Sequence, residues 1–157
     1  MSSEKHIAHF NWGRLKAPIG DPLVAEFVDN AARVNEIAER SDGFIWRDGG
    51  EGTSAWQIGW PLFTETPTMI ASFSVWESPQ QLWQFVHKTV HGQFLRRGAD
   101  WFHASVSYNY ALWWVEPGHQ PDIYEARDRV EALRANGPSA EVFTFKEFPP
   151  ERLSAKA

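Results

Sequence analysis

A chain of 157 residues with 20 acidic against 15 basic side chains carries a formal charge of −5, which argues against a nucleic-acid partner. The length suits one domain with a core that stands without staples, and the absence of cysteine excludes disulfides, thiolate metal sites and cysteine nucleophiles. The longest apolar run, Tyr110–Val115, is far short of the ~20 residues that span a bilayer, and Met1–His6 lacks the apolar stretch of a signal peptide, so a cytoplasmic protein without a membrane partner is expected.

Ile7–Trp12 reads as a first strand, with Ile7, His9 and Asn11 on one face and His6, Ala8, Phe10 and Trp12 on the other. Asp21 followed by Pro22 opens a helix to about Arg40. Its apolar residues, from Leu23 to Ala38, recur at three- and four-residue steps. Phe44–Arg47 is a second strand, residues 48–52 a Gly-rich turn, and Ala55–Trp60 an expected extra strand. Met69–Trp76 alternates most clearly, placing Ile70, Ser72, Ser74 and Trp76 together. Ser78-Pro79 starts a second helix running to about Arg97, and Trp101-Phe102 follow in a connecting segment or short helix. Tyr110–Val115 is a further strand, with Trp113 and Trp114 on opposite faces. Residues 122–135 form a third helix, stopped by Asn136-Gly137-Pro138, and Val142–Phe145 a last strand. Glu125, Arg127, Asp128, Arg129 and Glu131 read as a solvated charged face of that helix. Residues 1–148 are thus expected to form a single domain and 149–157 a disordered tail.

This order predicts an α+β fold of ferredoxin-like type, an antiparallel sheet with helices on one face. The other face is also apolar and aromatic and needs a cover, which two copies packed sheet to sheet would supply. A homodimer is expected on that ground. Nine tryptophans and eleven phenylalanines fill either a large core or the walls of a pocket for a flat ligand.

The strings Ser74-Val75-Trp76-Glu77-Ser78, Phe85-Val86-His87-Lys88-Thr89-Val90-His91, Trp101-Phe102 and Leu112-Trp113-Trp114-Val115, together with the stretch from Ile7 to Leu15, resemble the domain-of-unknown-function 3291 proteins. These are similar to antibiotic-biosynthesis monooxygenases of the dimeric α+β barrel superfamily. The resemblance implies a dimeric barrel with a pocket between sheet and helices. It does not imply one reaction, because the superfamily includes cofactor-free oxygenases, haem-degrading and chlorite-processing proteins, and lyases.

His87 and His91 are four apart on the second helix, one turn above each other, with Trp83 and Phe94 on the same side. Such a pair can act as general base, hydrogen-bond donor or axial haem ligand. No third metal ligand accompanies it, so no metal site is expected. The plainer alternative is two half-exposed histidines near Arg96-Arg97. The resemblance implies that an Asn on the first strand points into the cavity to hold an oxygen or carbonyl; Asn11 fills that position, with His9 on the same face. The alternative for Asn11 is a bond to its own backbone at a strand end. The expected site therefore comprises His87, His91 and Asn11 as catalytic groups, with Trp83, Phe94, Trp76, His9 and Ser74 around the ligand.

The leading expectation is a monooxygenase-like protein that binds a small aromatic or polyketide-like molecule in an apolar pocket and oxidises it without a cofactor, using the substrate's own carbanion chemistry. The alternatives are a haem-binding or haem-degrading protein and a non-catalytic ligand-binding dimer.

Overall fold

The structure, a computed structural model, describes residues 5–48, 53–88, 96–104 and 108–146. The elements are β1 (His6–Arg14), a 3-10 turn (Pro22–Val24) leading into α1 (Ala25–Arg40), β2 (Phe44–Arg47), α2 (Thr53–Gln57), α3 (Pro61–Thr64), β3 (Met69–Trp76), α4 (Pro79–Lys88), α5 (Gly98–Trp101), β4 (Tyr110–Val115) and α6 (Ile123–Asn136). The capping signals act as their chemistry requires. Asp21 Oδ1 accepts from the Leu23 amide, Ser78 Oγ from the Gln81 amide and Asp122 Oδ1 from the Glu125 amide, each satisfying an orphan donor of a first turn. Gly43 turns the chain between α1 and β2 at φ +87°, and a Cβ there would strike Gln81, so glycine is required for shape and for space.

The four strands form one antiparallel sheet in the order β2-β3-β1-β4. Strand alternation divides it into two apolar faces, and this chain covers both. On the first face, Ala8, Phe10, Phe73, Val75, Ala111 and Trp113 pack with Ala55, Trp60 and Phe63 of the α2–α3 region and with Ala126, Val130 and Leu133 of α6. On the second, Ile7, Trp76 and Leu112 pack with Ala38 of α1, Leu82 and Phe85 of α4, and Phe143. A third cluster lies at the end of the sheet, where Leu15, Val24 and Trp101 meet Phe27, Ile70 and Phe102.

Three expectations are corrected here. Helices lie on both faces of the sheet rather than one, so the cover that a second sheet was to supply comes from α2, α3 and α6, and the ground for a sheet-to-sheet dimer is gone. Ala55–Trp60 is not a strand. Thr53–Gln57 is helical, Pro61 starts another short helix, and Ala55, Trp60 and Phe63, not alternate residues, are the buried ones. No strand slot is open to this segment, because the Trp56 indole N–H bonds Met69 O at 3.0 Å and Asp48 N bonds Phe73 O at 2.9 Å along that edge of β3. The last strand reduces to a two-bond bridge, Leu112 N to Phe143 O at 2.8 Å and Phe143 N to Leu112 O at 2.9 Å.

The charged face of α6 is also corrected in part. Glu125 accepts from the indole N–H of fully buried Trp113 at 2.8 Å and pairs with His119 at 2.7 Å. Glu131 accepts from the indole of buried Trp60 at 2.8 Å. These two carboxylates tie α6 to the sheet's first face. At the opposite end, Arg97 forks onto both oxygens of Glu26 at 2.7 and 2.9 Å and lies 4.6 Å over the Trp101 ring, joining α5 to the start of α1.

Candidate functional site

Between the two apolar clusters of the sheet's second face runs a polar strip. Its composition follows from register. Asn11 pairs with Ser72 on β3 and with Tyr110 on β4; His9 pairs with Ser74 and with Leu112. Rows above and below are apolar: Ile7, Trp76 and Trp114 on one side, Ile70 with Gly13 on the other. Consecutive residues on one face of a strand are about 7 Å apart, so the His9–Ser74 and Asn11–Ser72 pairs make a compact square of polar groups on an apolar surface.

Hydrogen bonding within the square leaves donors pointing away from the sheet. Ser72 Oγ donates to Asn11 Oδ1 at 2.9 Å. With its oxygen so occupied, the Asn11 amide presents its NH2 group, for which there is no acceptor among the described residues. The Trp76 indole donates to Ser74 Oγ at 3.0 Å, which leaves the Ser74 O–H to donate in turn. His9 is buried, 8% exposed, with its ring 5.9 Å edge-on from Tyr110. Asn11 is half-buried and Ser72 exposed, so water and small solutes reach the strip from the β3 side. Donors of this kind suit an oxygen that carries negative charge or acquires it.

Two further groups, Arg47 and Tyr110, stand at the strip's margin. Arg47 pairs with Ser74 across β2 and β3 because Ile45 is extruded in a bulge. Strict alternation would have turned Arg47 to the opposite face from Phe44; the bulge brings both to the same one. Arg47 is held there by Glu39, Nε to Oε2 at 2.7 Å. Tyr110, whose hydroxyl accepts from the Phe145 amide at 2.9 Å, closes the strip on the β4 side. Only the bulge lacks a sequence signal; Ser72 and Tyr110 are legible as face residues once the strands are drawn.

The other expected site residues fall elsewhere. Trp76 lies on the same face but is 1% exposed, stacked on Phe85 at 5.1 Å and edge-on to Phe44 at 5.4 Å, so it reaches the strip only through its N–H. His87 and Trp83 are in mutual contact, ring centroids 4.6 Å apart, on the side of α4 away from Leu82 and Phe85. Lys88 Nζ lies 5.6 Å over the same indole. Burial against these neighbours lowers the His87 pKa below its usual 6.5, and the Lys88 charge lowers it further, so this exposed imidazole is neutral at pH 7. No contact joins it to Asn11 among the described residues. His91 and Phe94 lie outside the described residues, as do the turn 49–52 and the tail 149–157. Among the described residues there is no group of His, Asp and Glu that could hold a metal ion, and no helix is long and apolar enough to cross a membrane.

No curated protein matches this chain. Among solved structures, the crystal structure of the NE2512 protein of unknown function from Nitrosomonas europaea aligns with 12% identity, covering 75% of this chain and 96% of that one at a TM-score of 0.49. The model of the family described as "Domain of unknown function (DUF3291)" matches residues 6–157, and the chain belongs to that family.

Proposed function

We propose that this protein binds a small aromatic or polyketide-like molecule over the polar strip of β1 and β3, holds an oxygen of that molecule with the Asn11 amide and the Ser74 hydroxyl, and oxidises it in the manner of a cofactor-free monooxygenase. The observation that carries the reading is the Asn11 amide, whose carbonyl is taken by Ser72 while its NH2 faces outward unmatched among the described residues. An amide fixed in this way is a pre-set donor for a carbonyl, enolate or phenolate.

In this reading an imidazole takes a proton from an acidic methylene; His9 is the one on the strip, His87 makes no contact with Asn11 among the described residues, and His91, the other expected base, lies outside them. The resulting enolate oxygen is held by Asn11 and Ser74. Dioxygen then accepts the electrons. One oxygen atom becomes the new carbonyl and the other leaves as water, so the methylene is converted to a ketone with all atoms balanced. The haem alternative would need a ring-sized apolar slot beside an axial histidine; around His87 the described residues supply the Trp83 indole and the Lys88 charge, and His91 lies outside the described residues.

The test is a thermal-shift screen with anthrones, naphthols and diketones on wild type and Asn11→Ala, followed by oxygen uptake for every hit. A hit that raises the wild-type melting temperature, binds Asn11→Ala about tenfold more weakly (the loss of one hydrogen bond to a charged partner) and consumes oxygen is the expected result. Equal binding to the variant removes the strip as the site. Binding without oxygen uptake removes the oxidation and leaves a binding protein.

A further inference from the structure

A second feature adjoins the strip at the open end of β3. Leu15, Pro18, Ile19, Trp56, Pro67 and Ile70 line a groove of about 320 Å³, at the lower end of the size range of small-ligand sites. Thr68 also lines it, and no lining side chain is charged. The Trp56 N–H is already bonded to Met69 O, so this tryptophan presents only apolar ring surface. Ile19 stands 53% exposed at the rim, a cost in water that a bound apolar group would relieve.

Continuity decides what belongs in the groove. Ile70 and Ser72 are successive residues on one face of β3, and their partners on β1 are Gly13 and Asn11. The groove thus begins one residue pair, about 7 Å, from the donors of the strip. β2 pairs with β3 at Ser74–Trp76, and between the Trp56 bond at Met69 O and the Asp48 bond at Phe73 O no strand pairs with β3 among the described residues. On the inner side the ring of Phe102 occupies the space over Gly13, where even a Cβ would come within 2.7 Å of it. Phe102 thus fills the β1 side of the row between strip and groove, so a ligand that reaches both runs over Ile70 on the β3 side.

We infer that the ligand is amphipathic, with an oxygen-bearing head on the Asn11–Ser72 strip and an apolar portion seated in the groove between Leu15, Ile19, Trp56 and Ile70. This rests on the strip being the binding site, and it names the class of molecule that site takes: a phenol, enol or related acid bearing an alkyl or extended ring substituent, rather than a compact polar one.

Calorimetry with para-alkylphenols of increasing chain length tests it on wild type, Asn11→Ala and Ile19→Ser, the last a change at an exposed position that the fold tolerates. Affinity is expected to rise about fourfold per added methylene until the groove is filled. Ile19→Ser should flatten that rise while leaving the shortest phenols unchanged; Asn11→Ala should weaken every member by the same factor. Equal affinity for all chain lengths would overturn the groove and keep the strip. Long-chain binding untouched by Asn11→Ala would overturn the strip and with it the two-part ligand. Self-association of wild type, abolished by Ile19→Ser, would assign the groove to a second copy of the chain and overturn the inference, as would binding of no phenol at all.

Discussion

At the scale of single residues, the chemistry turns on which atom of a side chain is left over. Asn11 and Ser72 spend an acceptor and a donor on each other, and the surplus is an NH2 group. Had the serine been alanine, the amide would be free to rotate and would present either end. The same accounting separates His87 from the strip. Its ring lies against Trp83 and near Lys88, and both desolvation and the ammonium favour the neutral form. The folded-state pKa is therefore below the unfolded value of 6.5. As pH falls from 6.5 toward the lower folded value, the unfolded chain takes up the proton first and stability declines. NMR titration of the imidazole should show a midpoint below 6.5 in wild type, moving up further in Trp83→Ala than in Lys88→Ala because burial is the larger cause. A larger effect from Lys88→Ala would reverse that order. From sequence, the H-x-x-x-H spacing marked this side of the helix as chemical; what could not be read there is that Leu82 and Phe85 take the sheet-facing side.

At the scale of elements, the legible parts are those governed by neighbours in sequence. The caps at Asp21, Ser78 and Asp122 and the alternation of β3 depend on residues a few positions apart, and they fall where local chemistry puts them. What escapes is set at long range. Ile45 bulges because of how β2 meets β3, and nothing in four residues announces it. Residues 55–60 look extended by composition, yet Thr53–Gln57 is helical and a turn follows, with Trp56 bonding Met69 O at the edge of β3. Glu131 is exposed, as its sequence suggests, but its bond to Trp60, 71 residues away, is not legible there. That bond makes a stability prediction. Glu131→Ala removes the acceptor of the Trp60 indole N–H at a half-exposed site that water can reach and should cost about 1 kcal/mol, read as a lower urea midpoint with unchanged slope. Glu131→Gln keeps an oxygen in place and should recover most of the loss. If the alanine variant is as stable as wild type, α6 is held by Ala126, Val130 and Leu133 alone.

At the scale of the molecule, the question is how a sheet apolar on both faces is kept out of water. A sheet with helices on one side only would expose the row Phe10, Phe73 and Trp113, and a second copy would be the natural cover. Here α2, α3 and α6 provide it from within the chain, and Trp60, Phe63, Val130 and Leu133 fill the space a partner's sheet would have occupied. The energetic consequence is measurable. A fold completed by a second copy gains stability with protomer concentration, because association is part of folding. A fold completed by its own helices does not. The thermal midpoint of the full chain should therefore stay constant over a wide dilution series. Ala111→Glu, a charge placed in the fully buried first face, should lower that midpoint steeply and by the same amount at every concentration. A wild-type midpoint that climbs with concentration would mean the faces of this sheet are finished by another molecule, and the helices on the first face would then have to move aside to admit it.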